Sequence, residues 1–242
     1  MLFKSDTNQA EMLRCQGFHV IGFLLEQASP VQTSEAVVTL EDVAHKIEGH
    51  RKLQDAFWQA VVCRWSLWMY TAPKVHWEAV KWLSQAAHSQ PEALRRAVGV
   101  QQHLDGLYFY YWYEQRGIGL QAKAPEVRHP VTATVVGCRP NPKELAALRT
   151  FLFASIQSMV AEGMTDTEVQ ALLAALVETA DTQQLRELLD FVLALLRLPV
   201  PGLAQQILIQ TDVALFLMLL RHEDEEVLLR SLLVVALLLN SR

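Results

Sequence analysis

The chain has 242 residues, 51% hydrophobic and 19% charged, which excludes an intrinsically disordered polypeptide and leaves room for one large domain or two small ones. A formal charge of −5 excludes a dedicated nucleic-acid surface, and three cysteines far apart in sequence form no disulfide framework. The longest clean apolar runs, at 213–220 and 232–239, fall short of the ~20 residues of a membrane span, so no direct membrane insertion is expected, and a reducing cytoplasmic compartment is.

Helix signals dominate from the start. Asp6 or Thr7 caps a helix reaching Gln27, with Met12, Leu13, Val20, Phe23 and Leu24 inward. Ser34 opens a second helix, and Gly49 closes it after Ile47. Leu53, Phe57, Trp58, Val61, Val62, Trp65 and Trp68 recur at helical spacing and predict one helix over 51–69. Pro73 breaks the chain, and Val80, Leu83 and Ala87 mark a helix over 75–87. Pro91, in a first turn, begins another that ends in the aromatic run 108–113. All six tryptophans lie before residue 114, which sets 1–113 apart from the remainder of the chain.

Residues 114–141 carry Gly117, Gly119, Pro125, Pro130, Gly137 and Pro140, a spacing that no helix tolerates. One short strand over 131–136 is expected within an otherwise irregular, flexible loop. Residues 142–242 then hold 26 leucines, no tryptophan and most of the acidity. Asn141-Pro142 opens a helix that runs to Gly163, and Thr165 with Glu168 forms a capping box for a helix reaching Thr179. Asp181 or Thr182 starts another, which Pro199 and Pro201 stop; Thr211 opens the next, and 224–239 is the last.

Short helices with polar joints predict an all-α fold, an armadillo/HEAT-like α-solenoid of about nine or ten helices with one long irregular loop. The expected layout is a Trp-rich set of repeats over 1–113, the loop over 114–141, and Leu-rich repeats over 142–242, together one continuous solenoid. Because a very apolar helix stands at the end of the last segment with no polar cap, an excerpt of a longer solenoid is expected.

No catalytic constellation emerges. The eight histidines are scattered, no Cys-x-x-Cys or His-Glu-x-x-His occurs, and neither a cofactor nor a metal site is predicted. Two stretches are candidate protein-binding surfaces. On a helix, Phe109, Tyr110 and Tyr113 point away from the face shared by Leu104, Leu107, Tyr108, Tyr111 and Trp112. They are either interface anchors beside the loop or aromatics buried in a two-sided solenoid helix. The acidic corner Glu223, Asp224, Glu225 and Glu226 either attracts a basic partner or simply favours a helix N-terminus. The stripe Leu185, Leu188, Leu189, Val192, Leu195 and Leu196 suits a kinase-anchoring helix or ordinary solenoid packing.

An ordered series of residues carries a family resemblance. Gln9-Ala10-Glu11-Met12-Leu13 followed by Gln16-Gly17-Phe18-His19-Val20-Ile21-Gly22-Phe23-Leu24-Leu25-Glu26 resembles the α-solenoid region of the BEACH-domain protein family, of the neurobeachin type. Trp68-Met69-Tyr70-Thr71 before Lys74-Val75, then Tyr110-Tyr111-Trp112, Lys143-Glu144-Leu145 and Leu148-Arg149 extend it in the same order, whereas 117–138 departs from it. The resemblance implies very large cytosolic proteins, peripheral on secretory and endosomal membranes, that act as scaffolds in vesicle trafficking and protein sorting. The neurobeachin type also anchors protein kinase A. The implied role is a non-enzymatic scaffold segment whose partners are unidentified proteins and the rest of a larger BEACH-type polypeptide. The competing reading is a stand-alone helical-repeat adaptor with unrelated cargo.

Overall fold

Helix prevails in the computed structural model, which describes residues 5–240 apart from 70, 112, 117–118, 123–125, 129–132 and 139. Side chains at 30, 113–116, 119–122, 127–128, 136–138 and 213 lie outside the description. The chain divides into two compact units, the first formed by 1–110 with 124–155 and the second by 111–123 with 156–242.

The first unit contains α1 (Asp6–Arg14), α2 (Gly17–Gln27), α3 (Ser34–Lys46), α4 (Arg51–Phe57), α5 (Trp65–Met69), α6 (Pro73–Ser89), α7 (Pro91–Ala97) and α8 (Gly99–Leu107). Three helices that the hydrophobic pattern joins are divided here. Gln16 adopts a left-handed backbone (φ 50°), which a right-handed helix cannot continue through, so α1 and α2 separate. The break resets the inward face of α2. It buries Phe18, Gly22 and Glu26, while Val20, Phe23 and Leu24 are exposed, Leu24 by 58%. This corrects the inward set expected for that helix.

The second division follows α4, which widens into a π turn over Trp58–Val62 closed by the Cys63 N–H donating to Trp58 O at 2.9 Å. The Trp68 indole N–H donates to Val62 O at 2.7 Å, satisfying a carbonyl at the break. All seven residues of the expected 51–69 face are buried although no single helix carries them. At the third, Gly99, the first residue of α8, takes φ 75°. In the core Phe57 meets Phe18 edge-on at 5.3 Å, and the half-buried Trp77 and Phe151 meet at 5.6 Å.

Four short strands lie within 114–141 and its edge. β1 (Tyr113–Arg116) pairs antiparallel with β2 (Gly119–Ala122), Arg116 opposite Gly119, and β3 (Glu126–Arg128) pairs antiparallel with β4 (Val135–Cys138) through a bulge between Val127 and Arg128. The segment therefore carries more regular structure than the single strand expected over 131–136. That strand overlaps β4 only at 135–136, and residues 131–132 lie outside the described residues. Of the helix-breaking glycines expected there, Gly119 opens β2 opposite Arg116, and residue 117 lies outside the described residues.

Helix α9 (Pro142–Met159) passes the point, between 155 and 156, where the units divide. Asn141 Oδ1 accepts from the N–H groups of Lys143 and Glu144 at 3.0 Å each, and Glu144 reaches back to the Asn141 N–H at 2.9 Å. In the second unit, α10 (Asp166–Glu178) starts with the expected capping box. The Glu168 N–H donates to Thr165 Oγ1 at 3.3 Å and the Thr165 N–H to Glu168 Oε2 at 2.7 Å. Thr165→Ala is expected to cost about 1 kcal/mol, read as a fall in the urea midpoint at unchanged slope; an unchanged midpoint would contradict it.

Asp181 caps α11 (Thr182–Leu196), accepting from the Gln184 N–H at 2.8 Å. An additional helix, α12 (Leu203–Gln210), is absent from the expected set; it restarts at Gly202 (φ 77°) directly after the prolines that stop α11. Then come α13 (Val213–Leu220) and α14 (Glu225–Asn240). Both α11 and α13 pack against α14, and α10 packs against α12. With these divisions and α12 added, the helices outnumber the expected nine or ten.

Polar links between helices recur at nearly constant sequence separation. In the first unit Arg64 pairs with Glu26 across 38 residues, Arg96 with Asp55 across 41, and Gln90 with Glu48 across 42. In the second, Arg186 pairs with Asp224 across 38, Arg230 with Asp190 across 40, and Gln206 with Asp166 across 40. That interval is close to the 40–47 residues of armadillo and HEAT repeats, in which each repeat touches its neighbours at equivalent positions.

Candidate protein-binding surfaces

After Leu107, α8 tightens into a 3-10 turn over Tyr108–Tyr110. Three residues per turn, rather than 3.6, bring Tyr110 beneath Leu107 on the inward side. Tyr110 is 0% exposed. Its hydroxyl meets His76 Nε2 at 2.8 Å, its carbonyl accepts from Arg149 Nη1 at 2.8 Å, and its ring stands edge-on to Trp65. Burial pushes the phenol pKa up. Tyr110 is thus a core residue and not a surface anchor, so of its two alternatives the buried one holds. Phe109 is 41% exposed and Tyr108 stands beside it at the surface. Tyr113 lies in β1, and its side chain is outside the described residues. Tyr111 is buried and donates its hydroxyl to Glu187 Oε2 at 2.8 Å.

The acidic corner is largely occupied by its own chain. Asp224 accepts the Val227 N–H at 3.0 Å, capping α14. Arg186 on α11 grips both Asp224 oxygens, one through Nε at 3.0 Å and the other through Nη2, and reaches Glu226 at 3.3 Å. Arg230 bridges Asp190 at 2.9 Å and Glu226 at 3.0 Å. The guanidinium of Arg186 holds the Asp224 carboxyl down at about 2. Asp224 and Glu226 therefore join α11 to α14, whereas Glu223 and Glu225 are exposed and form no ion pair among the described residues. The leucine stripe of α11 is buried at 185, 188, 189, 192 and 195, inside its own unit.

Elsewhere the chemistry is subdued. Burial pushes the Cys63 thiol well above its ordinary range, which suppresses the nucleophilic thiolate. Among the described residues no three of His, Cys, Asp and Glu converge as a metal site, and no helix is long and apolar enough to cross a membrane. A cleft on the first unit between Trp58 and Trp82 carried no signal in the sequence, because its lining comes from separate helices.

Packed short helices with polar links recurring near 40 residues define an α-solenoid protein. Residues 1–242 match the family described as "Neurobeachin/BDCP, DUF4704 alpha solenoid region", and the chain belongs to it. It is similar to the BEACH domain-containing protein B of Arabidopsis thaliana, 23% identical over 198 residues that make up 80% of this chain. The matched region spans 7% of that relative's length.

Proposed function

We propose that the chain is a non-enzymatic scaffold segment of a neurobeachin-like BEACH protein in vesicle trafficking and protein sorting, offering protein-binding surface within a longer polypeptide. Through that polypeptide it is placed in the cytoplasm, peripheral on secretory and endosomal membranes. The family match across all 242 residues carries this reading. An open apolar face supports it. Leu229, Leu232, Leu233 and Leu239 of α14 are exposed, as are Leu217 and Met218 of α13. Residues three and four apart share one side of a helix, and a patch of this kind is suited to further helices or a partner rather than to water. Any protein kinase A anchoring by such a protein rests on something other than the α11 stripe, which is buried.

The combined variant Leu229→Glu, Leu232→Glu and Leu233→Glu tests the proposal. In the 242-residue chain it is expected to leave the helical circular-dichroism spectrum and melting intact, because the three side chains are exposed. In the longer polypeptide it is expected to displace the protein from its membranes. Normal localisation and sorting with the substituted face would overturn the proposal.

A further inference from the structure

A cleft of about 220 Å³ opens on the first unit between α3, α6 and the α4–π-turn segment. Trp58 and Trp82, with ring centroids 5.4 Å apart and tilted by 37°, form its aromatic wall. Glu41 and Glu48 stand in its lining, and no lysine or arginine does. Glu48 Oε1 accepts from Gln90 Nε2 at 3.2 Å, and Gln90 Oε1 accepts from Gln54 Nε2 at 3.2 Å, so a hydrogen-bonded chain braces one side. Glu48 Oε2 lies 3.9 Å from the exposed His45 ring, while Glu41 makes no hydrogen bond or ion pair among the described residues. The two indoles also differ from their neighbours. Trp65 donates its N–H to Gln102 O and Trp68 to Val62 O, but neither Trp58 nor Trp82 has an acceptor among the described residues.

We infer that this cleft is a binding site for an arginine side chain presented by a partner polypeptide. A guanidinium is flat and weakly hydrated, packs against aromatic rings and pairs with carboxylates, and the lining brings two largely buried indoles together with two carboxylates. The two indole N–H groups without internal acceptors are matched by peptide carbonyls, which a bare quaternary ammonium group lacks. Space suits one long side chain rather than a folded surface. The site belongs to the first unit alone and shares no residue with the leucine face of α14, so it holds or fails independently of the scaffold role proposed above.

The test uses the whole chain with ¹⁵N-labelled indoles. Three probes are titrated: the peptide acetyl-Gly-Ser-Arg-Ser-Gly-amide, the same peptide with citrulline for arginine, and tetramethylammonium chloride. The arginine peptide is expected to shift the Trp58 and Trp82 indole resonances saturably, with a Kd of roughly 1 mM or tighter. The citrulline peptide, of equal shape without the charge, is expected to bind at least about tenfold more weakly. The double variant Glu41→Gln and Glu48→Gln, with partly or fully exposed positions and an expected wild-type melt, is expected to weaken the arginine peptide by a similar factor. Unmoved Trp58 and Trp82 resonances, equal binding of the citrulline peptide, or tetramethylammonium binding as tightly as the arginine peptide would each overturn the assignment.

Discussion

Replacing Gly22 by alanine is expected to destabilise the first unit by about 2–3 kcal/mol, even though alanine in a helix interior normally gains about 1 kcal/mol over glycine. A Cβ at this position falls 2.1 Å from Ala60 O and 3.1 Å from Ala60 C. Those atoms are backbone of the π turn, and Ala60 is itself buried. Neither side yields readily. The turn is closed by its own five-residue hydrogen bond, and α2 is tied down one turn later by Glu26, whose carboxylate meets the Arg64 guanidinium at 2.5 Å. Urea unfolding followed by tryptophan fluorescence checks the result, since five of the six tryptophans lie in the first unit. Gly49→Ala is the comparison. Its Cβ meets nothing within 4 Å, so only the left-handed backbone (φ 87°) is charged, at about 1–2 kcal/mol. A Gly22→Ala protein as stable as its parent would mean that α2 is not seated on the π turn.

Gly22 also marks the limit of what periodicity reveals. Apolar spacing identifies the inward face wherever the helix keeps its phase, and from 53 to 68 it survives a π turn because every marked residue is large and apolar. It fails for α2 because the left-handed Gln16 restarts the rotation, and a polar glutamine announces no such break. The caps at Asn141, Thr165 and Asp181 are local chemistry, complete within four residues, and hence legible. Helix α12 is not, because its start depends on Gly202 rather than on a capping side chain.

The candidate surfaces divide in the same manner. The acidic corner reads correctly as a helix start, but the fate of its charges depends on Arg186 and Arg230, and Arg186 lies 38 residues from Asp224 in sequence. Nothing local connects them. For Tyr110 the choice between anchor and core residue turns on a change from 3.6 to 3.0 residues per turn, a geometric detail invisible in the composition of an all-aromatic run. The Trp58–Trp82 cleft needs three separately placed segments and leaves no motif behind. What was legible throughout was the kind of fold, short apolar helices with polar joints; the interval near 40 residues emerges only from the links between helices.

Mild acid is expected to weaken the first unit. His76 and His103 are buried, and burial holds their imidazoles down at about 3 and about 4, from an ordinary 6.5. Each also has a ring nitrogen without a partner, Nδ1 of His76 and Nε2 of His103. The other nitrogen of His103 meets Gly99 O at 2.9 Å, and that of His76 meets the Tyr110 hydroxyl. Protonation would therefore place a charge and an unanswered N–H donor in the core. Because the folded pKa values lie below the unfolded one, the unfolded chain binds more protons throughout the window between them. Stability is intact above about pH 6.5 and falls as the pH drops, at about 1.4 kcal/mol per pH unit for each histidine. The loss levels off near pH 4 for His103 and near pH 3 for His76. At pH 5 the pair costs about 4 kcal/mol, a large part of the 5–15 kcal/mol typical of a folded domain. Urea midpoints measured between pH 7.5 and pH 5 report it, and His103→Leu is expected to halve the slope by removing one of the two titrations. A flat profile across that range, or a His103→Leu slope equal to that of the parent, would show that these imidazoles are not held neutral by the fold.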